Sequence, residues 1–106
     1  MARYLWKVSY SQEGAKGLLK EGGSARRDVV DGLVKGVGGT LESFYFALGE
    51  DDAFVIADVP ELTDLAAVSL TVAAAGGARV QSIQLLTPEE VDAAAQKSVS
   101  YRPPGA

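Results

Sequence analysis

From Arg3 to Tyr10 the chain sets Tyr4, Trp6, Val8 and Tyr10 against Arg3, Leu5, Lys7 and Ser9, the two-residue period of a β-strand. Ser11 follows as a helix cap, with Glu13 in the first turn. At about 100° per residue, Ala15, Leu18, Leu19, Gly22, Val29, Leu33 and Val37 share one face. This phase runs through "KEGGSARRD", Lys20 to Asp28, so one helix is expected that continues or bends there without losing register. Gly22 should face the sheet, and Ser24 should recap the second half if the chain opens at Gly23. Thr40 to Leu48 and Ala53 to Val59 read as two strands joined at "GEDD", and Pro60 closes the second. Leu62, Leu65, Ala66, Ser69, Val72 and Ala73 recur at helical spacing up to about Ala75. They are mostly small, as in a helix lying close against a sheet, and Gly76 and Gly77 end it. Arg79 to Leu86 is a fourth strand. Thr87, Pro88 and Glu90 then form a capping box with proline, opening a last helix that runs to about Lys97.

Strand, helix, strand, strand, helix, strand with an added C-terminal helix is the ferredoxin-like βαββαβ arrangement, an α+β fold with an antiparallel four-stranded sheet. Residues 1–98 are assigned to one domain and 99–106 to a Pro/Gly tail. A sheet covered on one side should alternate cleanly between apolar and polar positions. Here Leu41, Tyr45 and Ala47 oppose Phe44, Phe46 and Leu48, while Val55, Ala57 and Val59 oppose Phe54 and Ile56. Apolar residues on both faces imply a second copy over the open face, a homodimer or a multiple of it.

Four stretches, "EGAKGLLKEGGSARRD", "FYFALGEDDAFVIADVPE", "LLTPEEV" and "YRPPGA", together resemble the GYD domain family of small bacterial proteins. The resemblance covers nearly the whole chain. That family is similar in topology to the dimeric α+β barrels, in which two ferredoxin-like protomers face their sheets together, and it implies the same fold here. The family's Gly-x-Tyr-Asp stretch at this hairpin reads Gly49, Glu50, Asp51, Asp52 in this chain. Asp51 replaces the tyrosine, so no role of that phenol carries over. The resemblance implies no defined activity.

Composition narrows the chemistry. Ten Lys and Arg against 14 Asp and Glu give a net charge of −4, which disfavours nucleic acid, whose phosphates need a basic face. Cysteine and histidine are both missing, removing thiolate chemistry and the side chain best suited to acid–base work near neutrality. No cofactor and no metal is expected. The amphipathic N-terminus and the lack of a long apolar run predict no membrane partner and cytoplasmic residence.

The helical wheel places Arg26 on the apolar side and Arg27 at its edge. A guanidinium so placed needs an acid, as in a structural ion pair, or an anionic ligand near a helix N-terminus. Trp6, Tyr10 and Tyr45, with other aromatics, are candidates to line a pocket between two sheets, and Asp52 stands at its hairpin rim. The acids of "GEDD" with Asp58 and Glu61 read as a solvated turn rather than a cation site. The leading functional reading is a homodimeric barrel binding a small anionic or aromatic molecule through Arg26, Arg27, Trp6, Tyr10, Tyr45 and Asp52. Its rivals are a cofactor-independent isomerase or monooxygenase, with Tyr45 and Asp52 handling protons, and a structural assembly subunit. Whether a reaction is catalysed is left open.

Overall fold

A computed structural model describes all of residues 1–106. The elements run β1 (Ala2–Tyr10), α1 (Gln12–Glu21), α2 (Gly23–Gly36), β2 (Thr40–Phe46), β3 (Ala53–Val59), α3 (Leu62–Ala75), β4 (Ala78–Leu85) and α4 (Pro88–Ala95). The strands form one antiparallel sheet in the order β2-β3-β1-β4. This is the ferredoxin-like order, with β1 and β3 at the centre. Tyr4, Trp6 and Val8 of β1 and Val55, Ala57 and Val59 of β3 point to the same side, where Val34 of α2 and Leu65 and Val68 of α3 close the core.

Local signals fix most of the ends. Ser11 Oγ accepts the Gly14 N–H at 3.1 Å and donates to the Gly76 carbonyl at 2.8 Å, and its own N–H donates to the Gly77 carbonyl at 3.0 Å. The start of α1 is thereby stapled to the turn after α3. The approach is so close that a Cβ on Gly14 would collide with the Gly77 carbonyl. Thr87 and Glu90 exchange the two hydrogen bonds of the capping box; at the start of α3 the Glu61 N–H donates to Asp64 Oδ2 at 3.2 Å and the Asp64 N–H to the Glu61 carbonyl at 3.1 Å.

Four details depart from the sequence reading. The long helix is broken at Gly22, whose φ of 88° and ψ of 167° suit glycine alone. Gly22 faces open space. Gly23 is the residue under contact, since a Cβ there would sit 2.8 Å from the Phe46 ring. Gly22 also takes the N-cap position expected of Ser24 and supplies no side-chain hydrogen bond. Second, a bulge at Glu42, between Leu41 and Ser43, inserts one residue into β2 and reverses its phase. Leu41 therefore joins Phe44 and Phe46 opposite Ala57, Val55 and Ala53, on the helix side, while Tyr45 shares the open side with Phe54. Ala47 and Leu48 lie beyond the strand.

Third, α3 turns Leu65 and Val68 inward with Ser69 and Val72 half-buried, but leaves Leu62, Ala66 and Ala73 exposed. Fourth, α4 ends at Ala95 instead of Lys97, and every residue from Pro88 onward is exposed. This C-terminal arm stretches the molecule to 57 Å along its longest axis. The radius of gyration is 17.0 Å, against about 13 Å for a compact chain of this length.

Candidate functional site

Side chains from six elements meet between the sheet and the helices. β1 contributes Trp6, Val8 and Tyr10, and α2 contributes Arg26, Val30 and Leu33, spaced to share one helical face. Val68 and Val72 of α3, Phe44 of β2, Val55 of β3, and Ala78 and Val80 of β4 complete the wall around a cavity of about 30 Å³. Arg26 is its only charged residue. The pocket expected between two sheets is thus placed under the helices instead, because Trp6 and Tyr10 are in phase with Val8 on the covered face of β1.

Two hydrogen-bond donors in this wall are unsatisfied. Trp6 is 3% exposed and its Nε1 has no partner, and Arg26 Nε is buried without one. The Arg26 guanidinium makes no ion pair with any carboxylate; it lies over the Tyr10 ring, with Cζ 5.9 Å from the centroid. A buried donor left unpaired costs about 1–3 kcal/mol, so the pair is an energetic debt within an apolar wall.

Arg26 and Tyr10 also line a neighbouring groove of about 140 Å³, with Gly14, Gly17, Leu18, Glu21 and Gly77. They border both the apolar cavity and this groove. Helical side chains lean toward the N-terminus of their helix, which carries Arg26 back under the α1–α2 break. There α2 begins with no side-chain cap and no acid in its first turn, leaving the positive end of its dipole uncompensated.

The other candidate residues lie elsewhere. Arg27 is exposed, its Nη2 3.4 Å from Asp28 Oδ1, and it lines a separate recess with Asp31 and Glu42. Tyr45 stands on the open face, 72% exposed. Asp52 Oδ2 accepts the Tyr10 N–H at 2.8 Å while its own N–H donates to the Val8 carbonyl at 2.8 Å, so Asp52 laces the hairpin to β1. Asp51 pairs with Lys7 at 3.3 Å and accepts from Ser9 Oγ at 3.4 Å. Asp58 pairs with Arg3 at 3.4 Å. Tyr45 and Asp52 therefore do not converge on one proton-handling centre, and the acidic turn is tied into the sheet.

Of the aliphatic wall, Leu33 and Val72 were placed on apolar helix faces from sequence, whereas Val30 and Val68 were missed. The visible signal for Val30 is its place four residues after Arg26 on the same face. The close approach of Gly14 to Gly77 had no signal in either segment alone.

The family model for the GYD domain matches residues 4–95, and the chain belongs to that family. No curated protein and no solved structure matches it.

Proposed function

We propose that this GYD domain protein is a homodimeric module that binds a small anionic molecule in the cavity between sheet and helices, with Arg26, Trp6 and Tyr10 as the ligand-contacting residues. The observation that carries the reading is the pair of unpartnered donors, Arg26 Nε and Trp6 Nε1, in an otherwise apolar wall. A structural arginine would have an acid beside it, as Arg3 has Glu42 and Asp58. Arg26 has none, and a ligand that accepts hydrogen bonds removes the cost. Arg27 adds positive charge near the same helix end without reaching the cavity.

The homodimer draws its support from the open face. Leu5 lies opposite Ile56 on one side and Ile83 on the other, with Phe54 and Tyr45 in the next row. Arg3, Glu42, Asp58, Lys7 and Asp51 surround this patch as ion pairs. An apolar centre with a charged rim is the anatomy of an association surface.

The test combines native mass spectrometry with thermal unfolding. The expected mass is that of two chains. Small carboxylates should raise the unfolding temperature of the wild type and leave Arg26→Ala unmoved, with the dimer intact in both. An unchanged shift in Arg26→Ala removes the arginine from the site, and a monomer at micromolar concentration removes the pairing.

The assembly-subunit reading is favoured by one separate observation, the C-terminal arm. Its residues Val91, Val99 and Tyr101 are exposed, with no core of their own to cover. Deleting residues 97–106 should lower the oligomer mass under this reading and leave it unchanged under the binding reading.

A further inference from the structure

Resting on the pairing and on the assembly role of the C-terminal arm set out above, we propose that residues 99–104 of each protomer dock in an apolar groove of a second copy, so that the two chains of a pair exchange arms.

The groove is formed by α1, which contributes Leu18 and Leu19, and by the β2–β3 hairpin, which contributes Phe46, Leu48 and Asp52. Leu19 is 88% exposed and Leu48 fully exposed. The groove holds about 370 Å³, more than twice the roughly 150 Å³ of an apolar cavity that takes up benzene. A tyrosine ring and a flanking valine or proline therefore fit together.

The arm has the matching chemistry. Val99 and Tyr101 are exposed, and two prolines follow at 103 and 104. The Ala106 N–H donates to the Pro103 carbonyl at 3.1 Å, and Gly105 has a φ of 77°, which sets proline and glycine at the centre of a tight turn. Prolines restrict the undocked chain and so reduce the entropy lost on docking. Charge agrees as well. Lys97 and Arg102 pair with no side-chain carboxylate, and Arg102 Nε donates to the Ala106 carbonyl of its own tail. The hairpin turn beside the groove carries Glu50, Asp51 and Asp52, and Glu50 has no cation near it.

Position decides between the chain's own groove and a partner's. Leu85, the last residue of β4, pairs with Arg3, whereas Tyr10 lines the groove. Arm and groove thus belong to opposite ends of β1, about 23 Å apart at roughly 3.3 Å per residue, and the arm extends the molecule to 57 Å instead of folding back. In a two-fold pair whose strands run in opposite directions across the open faces, each arm leaves beside the partner's groove, and both dock by the same contact.

The test is sedimentation equilibrium on full-length protein and two variants. Removing residues 97–106 and, separately, combining Leu19→Glu with Leu48→Glu should each raise the dissociation constant of the pair at least about tenfold; both leucines are exposed, so the core is untouched. Mixing the truncated chain with the doubly substituted one leaves one intact arm facing one intact groove. Native mass spectrometry should then find the mixed pair in excess of its random share. If truncation leaves the dissociation constant unchanged, the assembly role of the arm falls and the exchange with it. If truncation weakens the pair and the groove substitutions do not, the arm's role stands but its docking site is wrong. If both weaken it and mixing brings no excess, each arm covers its own groove and the exchange is overturned.

Discussion

The two faces of the sheet treat charge in opposite ways. On the open face the cations have partners: Arg3 Nε lies 3.0 Å from Glu42 and Lys7 Nζ lies 3.3 Å from Asp51. On the helix side Arg26 has no acid and Trp6 Nε1 has no acceptor. The exposed face has settled its electrostatics and leaves apolar surface uncovered. The covered face has buried its apolar surface and leaves donors unpaired. In the reading proposed above, what each face lacks is what it takes up, a second copy on one and an acceptor on the other.

The largest expected effect destroys the covered side. Gly14→Val forces a side chain into the Gly77 carbonyl, lifting α1 from the turn that also borders the Arg26 groove. A loss of about 3 kcal/mol in urea unfolding is expected, near the upper end for overpacking. Gly17→Ala is the control on the same helix. Nothing lies within 4 Å of its would-be Cβ, so it should gain about 0.5–1 kcal/mol through helix propensity.

The next effect breaks only the open side. Leu5→Asp with Ile56→Asp places carboxylates at the centre of the apolar patch, where the two residues face each other in register. In the proposed dimer this should weaken association by about 3 kcal/mol, or more than a hundredfold. Sedimentation at micromolar concentration should then show one chain, while the fold and the Arg26-dependent response to small carboxylates persist. Loss of both would mean that the two faces are not independent.

A smaller effect has opposite signs on the two faces. Arg26→Met removes an unpaired donor from an apolar wall, so the ligand-free protein should gain about 1 kcal/mol in urea unfolding and lose its response to carboxylates. Arg3→Met removes one centre of an exposed ion-pair group and should cost no more than about 1 kcal/mol. A loss of stability in Arg26→Met would mean that the arginine has an internal role and that its missing partner is no debt.

Fold and site were unequally legible in the sequence. Periodicity and capping residues gave β3 over Ala53 to Val59, the Ser11 cap, the Thr87 box and the Gly76 stop, because each is encoded within a few neighbouring residues. The helical wheel also placed Arg26 on the apolar side. The break at Gly22 was not separable from one at Gly23, since the choice depends on which glycine meets Phe46, a residue on another element. The β2 bulge reversed the faces of Leu41 and Tyr45, because the register is set by β3 and is not written in β2 alone. Trp6 and Tyr10 were expected between two sheets and lie under the helices for a related reason. Aromatic residues on a strand show that a face is buried, but what buries it depends on where the helices dock.

The smallest expected effect concerns a charge on neither face. Lys35, on the outward side of α2, lies 2.8 Å from Asp31. The hydrogen bond to Asp31, and then its negative charge, raise the Lys35 pKa above the ordinary value of 10.5. The folded state therefore holds the proton more tightly than the unfolded chain. Any stability from this pair is fully present below the unfolded value and is lost as pH rises through the higher folded value. The difference in urea midpoint between wild type and Lys35→Met should accordingly be small and constant from about pH 6 to 9, then shrink above about pH 10.5. A difference that changes near neutrality would have to come from another group. It would also unsettle the use of exposed pairs as the neutral reference against which the unpaired Arg26 is judged.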